Sequence, residues 1–108
     1  MKKKTKVQII NKSRRLLLET DLNEKEIAEL LCISEVFLRK LYKCHFGYPP
    51  RTYIRKVKLK KAKTMIRITD YSITKIAEEI GYTNISKFSY AFKVEFGYLP
   101  SEYRAKIK

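Results

Sequence analysis

At 108 residues the chain holds one compact domain or two very small ones. Lys and Arg number 25 against 11 Asp and Glu, a formal net charge of +14, and 44 % of the residues are hydrophobic. That balance excludes a disordered basic tail and points to a polyanionic partner. Three Gly, three Pro and no Trp argue for an all-α fold over a turn-rich sandwich or barrel. Cys32, Cys44 and His45 supply at most three metal ligands, two of them adjacent, where structural zinc needs four. The cysteines therefore read as reduced thiols, and no metal or other cofactor is called for. No apolar run approaches the ~20 residues of a membrane span. The opening Met1-Lys2-Lys3-Lys4 lacks the apolar stretch of a signal peptide.

In chain order, residues 1–6 read as a basic arm and 7–49 as a first helical subdomain. Residues 50–69 read as a linker helix and 70–108 as a second subdomain. A leading helix over 7–19 places Val7, Ile10, Leu17 and Leu18 on one face, with Arg14 and Arg15 outward. Asn23 caps the next helix, with Glu26 completing a capping box. Ser34 caps another, in which Leu38, Leu41 and Tyr42 recur at helical spacing until Gly47 ends it. Pro50 to Thr69 carries Tyr53, Ile54, Val57, Ala62, Met65 and Ile66 at helical spacing and eight basic residues with no acidic one. This predicts one helix of about 18 residues, ~27 Å long. Ser72, Gly81, Asn84 and Gly97 then mark two further helices, and Pro100 opens a last one. That makes about seven helices in total, in two subdomains joined by the long central helix.

A repeat organises these elements. Ile27-Ala28-Glu29 returns as Ile76-Ala77-Glu78, Phe46-Gly47-Tyr48 as Phe96-Gly97-Tyr98, and Tyr53 as Tyr103. The offset is 49 at the start of the unit and 50 at its end, so the second copy carries one extra residue between Gly81 and Phe88. Each copy reads as helix, tight turn, helix. Ala28 and Ala77 are small where the second helix must cross closely. Four residues later the turn needs positive φ, which Gly81 accepts readily and Cys32 poorly. Ile27, Leu31, Ile33, Leu38 and Leu41 flank the crossing in the first copy, as Ile76, Ile80, Tyr82, Phe88 and Phe92 do in the second.

These motifs resemble the AraC/XylS family of bacterial transcriptional regulators. The second copy carries most of the resemblance, in Ile76-Ala77, Gly81-Tyr82, Ser86-Lys87-Phe88-Ser89, Phe92-Lys93, Phe96-Gly97 and Pro100-Ser101-Glu102-Tyr103-Arg104. The first matches at Ile27-Ala28, Ser34, Leu38, Leu41-Tyr42-Lys43 and Gly47. Three residues depart from the family pattern. Cys32 stands in place of a glycine-like residue, Glu24 in place of an apolar one, and Lys58 in place of a frequent arginine. Leu22 is expected to fill the space that Glu24 leaves. With no room for a sensing domain, the chain looks like a short MarA/SoxS-type member or the DNA-binding portion of a longer regulator.

The resemblance implies two helix-turn-helix subdomains whose second helices both enter the major groove of double-stranded DNA. It also implies RNA polymerase as a protein partner and a place at the bacterial nucleoid in the cytoplasm. Two linked heads make binding as a monomer possible. Removing core positions leaves Val36, Arg39 and Lys40 as base-contact candidates in the first reading helix. The Arg39 fork matches guanine O6 and N7, and Val36 suits a thymine methyl. Either a phosphate contact or an ion pair with Glu35 is the alternative for Arg39. In the second helix Ile85, Ser86, Ser89 and Tyr90 are the base-contact candidates, a chemically different set that implies an asymmetric site. Ser34, Lys43, Asn84, Lys87 and Lys93 are phosphate-contact candidates. With one His and no nucleophile–base pair, the sequence does not read as an enzyme. The competing reading is a basic helical adaptor for RNA or an acidic protein. It requires exposed aromatic platforms, whereas most aromatics here fall at core positions.

Overall fold

The computed structural model describes residues 5–107. Seven helices run α1 (Lys6–Glu19), α2 (Glu24–Leu30), α3 (Glu35–Phe46), α4 (Pro50–Ile68), α5 (Ile73–Glu79), α6 (Ile85–Phe96) and α7 (Pro100–Ile107). No strand occurs among the described residues. The fold is all-α, with two helix-turn-helix subdomains joined by the 19-residue α4. Residues 1–4 of the expected basic arm lie outside the described residues. Lys6 is already helical, because Thr5 closes a reciprocal capping box with Gln8.

The chain divides into two compact units, Met1–Arg55 and Lys56–Lys108. In the first, Ile9, Ile10, Ile27, Leu31, Leu38, Leu41 and Tyr42 form the core, with Leu16, Leu17, Leu22 and Tyr53 packed against it. The buried face of α1 differs from the sequence reading. Val7 and Leu18 are exposed, Ile10 is buried as expected, and Ile9 and Ser13 are buried beside it. Six apolar residues crowd this helix, and periodicity alone does not choose between overlapping stripes. Ser13 settles the face. Its hydroxyl donates to the Ile10 carbonyl at 3.0 Å and meets the Tyr42 hydroxyl at 2.6 Å, so two buried polar groups satisfy each other. Burial pushes the Tyr42 phenol above its ordinary value of 10.0, opposed by the Ser13 hydrogen bond and the charge of Arg14.

In the second unit, Leu59, Ala62, Ile66, Ile76, Ala77, Ile80, Phe88, Phe92 and Tyr103 form the core. Lys63 Nζ stands 4.6 Å from the Phe96 ring centroid and 5.3 Å from that of Tyr103, which stacks on Tyr98. The half-buried ammonium is thereby held by ring faces. A half-buried ion pair, Lys56 to Glu95 at 2.9 Å, closes the same unit.

Helix α4 serves both cores. Pro50 and Tyr53 occupy in the first repeat the places that Pro100 and Tyr103 of α7 take in the second. Leu59, Ala62 and Ile66 follow Ile10, Ser13 and Leu17 of α1 at the offset of 49. The stripe read from the sequence omitted Leu59, which is 1 % exposed.

Both turns repeat the same hydrogen bonds. Ile33 N–H donates to the Ala28 carbonyl at 3.0 Å, and Tyr82 N–H to the Ala77 carbonyl at 2.9 Å. Ala28 and Ala77 are buried at the crossings. Cys32 adopts φ 58° and Gly81 φ 96°. Helix α3 is capped by Ser34 and α6 by Asn84, so the extra residue of the second copy is in the turn, around Thr83.

Candidate nucleic-acid interface

Helix α3 is positioned by its cap and its buried side. Ser34 Oγ accepts from Phe37 N–H at 3.0 Å, and Leu38, Leu41 and Tyr42 lock the inner face. Val36, Arg39, Lys40 and Lys43 are all exposed, together on the outer side. Arg39 is held rather than free. Its Nε donates to Glu24 Oε2 at 3.0 Å and its Nη2 to Glu35 Oε2 at 3.0 Å. Glu24 is itself anchored, since its Oε1 accepts from Arg51 N–H at 3.2 Å, in the first turn of α4. Glu24, Glu35, Arg39, Arg51 and Thr52 line an open groove beside α3.

Helix α6 presents a different surface. Asn84 Oδ1 accepts from Lys87 N–H at 3.1 Å, and Phe88 and Phe92 are buried. Ile85, Ser86 and Tyr90 are exposed, Tyr90 by 73 %, with Lys87 and Lys93 beside them. Ser89 is only half-buried rather than fully outward, because it adjoins Phe88 at the border of the core-facing side. Ser34 and Asn84 use their side chains as caps. Each occupies one backbone donor near the helix start and leaves the preceding N–H groups for an anion.

Two exposed apolar residues escaped the sequence reading, Phe37 on α3 and Val94 on α6. Val94 lies four residues after Tyr90, a spacing that places both on one face and was readable. Glu24 also escaped, and no local pattern signals a contact with a residue 15 positions away. Among the described aromatics, only Phe37, Tyr48, Tyr71 and Tyr90 are exposed. No helix of the described residues is long and apolar enough to cross a membrane. No group of three or more His, Cys, Asp or Glu among the described residues could hold a metal ion.

Two capped, basic helix-turn-helix units in series define a class, the tandem helix-turn-helix proteins. Comparison with known proteins narrows it. A family model described as a helix-turn-helix domain matches residues 27–106. The HTH-type transcriptional activator RhaS of Escherichia fergusonii is 36 % identical over 78 residues, which are 72 % of this chain and 28 % of that protein. The chain therefore spans little more than a quarter of the length of the curated relatives it matches. Among solved structures, the C-terminal domain of AraT, a response regulator from Geobacillus stearothermophilus, superposes with a TM-score of 0.80 at 30 % identity, covering 91 % of this chain and 84 % of that one. The DNA-binding domain of AdpA, determined in complex with a target DNA, shares the fold at a TM-score of 0.80 and 17 % identity, covering 94 % and 90 %. The chain belongs to the AraC/XylS family of bacterial transcriptional regulators and contains that family's DNA-binding domain. That family is one of transcriptional regulators and is not an enzyme class.

Proposed function

We propose that this chain binds double-stranded DNA sequence-specifically and regulates transcription by inserting α3 and α6 into adjacent major-groove segments of an asymmetric promoter site. The observation that carries this reading is the pair of capped helices with chemically unlike exposed faces, in a chain of net charge +14. On α3, Arg39 reads guanine O6 and N7, Lys40 assists it or takes a phosphate, and Val36 meets a thymine methyl. On α6, Ile85 and Tyr90 offer apolar contact, and Ser86 with the half-buried Ser89 offers hydrogen bonds of low base discrimination. Ser34 and Asn84 with their helix starts, and Lys43, Lys87 and Lys93, grip phosphates. A single copy suffices for two grooves, because α4 joins the heads covalently. The activator relatives support transcriptional activation in the bacterial cytoplasm at the nucleoid, with RNA polymerase as the protein partner.

Selection of bound sequences from random duplexes, followed by footprinting, tests the reading. Two dissimilar half-sites with centres about 10 base pairs apart are expected. A footprint confined to about five base pairs rejects the two-headed arrangement. With about six phosphates contacted, log K against log salt should fall with a slope near −5. A flat salt response, or equal competition by single-stranded RNA, rejects duplex recognition.

A further inference from the structure

We infer that Glu24 is a positioning residue for base recognition, orienting Arg39 so that α3 discriminates guanine. This rests on the DNA-binding function proposed above. The geometry is a relay across three helices. Glu24, the first residue of α2, has a side chain only 14 % exposed. One of its oxygens accepts from the backbone N–H of Arg51 in α4, and the other accepts from Nε of Arg39 in α3. A carboxylate tied at one oxygen by backbone is a fixed reference point for whatever the other oxygen holds. Glu35 takes one hydrogen from Nη2. A guanidinium carries five N–H donors, so both hydrogens of Nη1 and one of Nη2 are left unclaimed by Glu24 and Glu35, and one Nη1 hydrogen points to the outer end of the fork. That end has the spacing that meets guanine O6 and N7.

The repeat supplies an internal comparison. At the place of Glu24 the second copy has Ile73, and at the place of Arg39 it has Ser89. The acid occurs in the copy that has the arginine and is absent from the copy that lacks it. A carboxylate on a surface that approaches phosphates opposes binding electrostatically. Its presence here is accounted for by what it does to Arg39. A long side chain ordered before DNA arrives loses less freedom on binding, and its fork is aimed at one base position.

The experiment uses the best duplex from the selection above, the same duplex with the Arg39-dependent guanine pair changed to A·T, and a random-sequence duplex. Affinities are measured for the wild type, Glu24→Gln, Arg39→Ala and the double variant. Gln retains an acceptor for Arg51 N–H and removes the charge at Nε. Glu24→Gln is expected to keep or raise affinity for the random duplex while discrimination between the two specific duplexes falls on the order of tenfold. In the Arg39→Ala background the Gln substitution should leave discrimination unchanged. Glu24→Asp keeps the charge and withdraws it from Nε. It should also lose discrimination, which separates position from charge and serves if the Gln variant folds poorly. Unchanged discrimination in both variants means that Glu24 only ties α2 to α4 and overturns the inference. Sharper discrimination means that the acid sequesters Arg39 and overturns it equally. If Arg39→Ala alone leaves discrimination intact, Arg39 does not read the base, and the inference falls with that assignment. A two-headed footprint in the same protein leaves duplex recognition standing.

Discussion

At the corner between its paired helices the first copy places Cys32 at φ 58°, where the second has Gly81 at φ 96°. Deeper in, the first copy joins Ser13 to Tyr42 by a buried hydrogen bond, where the second packs Ala62 and Phe92 with no polar atom in their side chains. On the outside, Glu24 and Arg39 face each other in the first copy, and Ile73 and Ser89 hold those places in the second. Each difference runs in one direction. The second copy meets the packing and turn requirements of a helix-turn-helix with apolar groups and glycine. The first carries polar and strained groups at matching positions, one of them against the residue best suited to read a base. Local irregularity falls in the copy that carries the proposed base-reading arginine, as expected where function overrides local preference.

The largest expected effect breaks the second copy at its centre. Phe88→Ala removes a fully buried ring and should cost about 3–5 kcal/mol. Chemical denaturation followed by amide exchange is expected to show protection lost first in α5, α6 and α7. Uniform loss across both units would mean that the copies share one folding transition. Next, Arg39→Ala should cost on the order of 1–3 kcal/mol at the preferred duplex and blunt discrimination. Ser86→Ala should cost under about 1 kcal/mol with little change in sequence preference. Equal penalties in titrations of both variants would erase the chemical contrast between the heads.

The two turns should respond with opposite sign. Gly81→Ala is expected to destabilise by about 1–2 kcal/mol through its backbone. The nearest atom to the added Cβ is the flexible end of Lys58, at 3.5 Å. Cys32→Gly should relieve left-handed strain and raise the melting temperature, a gain of at most about 1 kcal/mol. Tyr42→Phe is expected to cost only about 1 kcal/mol at neutral pH, since the Ser13 hydroxyl keeps its bond to the Ile10 carbonyl. Its pH dependence carries more information. The folded state holds the Tyr42 phenol above the ordinary 10.0, so below pH 10 the group is neutral in both states and the shift costs nothing. As pH rises past 10 the unfolded chain releases the proton first, and stability falls. Melting curves from pH 9 to 11 should therefore decline less steeply for Tyr42→Phe than for the wild type.

Much of this was legible beforehand, for identifiable reasons. Asn23, Ser34, Ser72 and Asn84 each cap a helix through a bond to the residue three places on, and that relation is written in adjacent letters. Ala28 and Ala77 announced the crossings because only a small side chain suits a close helix approach, and repetition at a fixed offset removed the ambiguity of a single match. The exposure of Val36, Arg39, Lys40, Ile85, Ser86 and Tyr90 followed by subtracting the core positions. Ser89 did not follow, because a residue beside the core boundary can tip either way with a small rotation of the helix.

What the sequence by itself determined is the set of helices, their order, the duplication and the placing of most core residues. These rest on interactions within a turn or two of chain, whose period survives in the letters. Only the tertiary structure decided that α4 belongs half to one core and half to the other. It also decided that Ser13 rather than Val7 or Leu18 faces inward, and that Glu24 holds Arg39 while capping α4. The last two depend on polar partners 15, 27 and 29 residues apart. Partners so far apart leave no periodic trace, because the chain brings them together only once its apolar faces have packed.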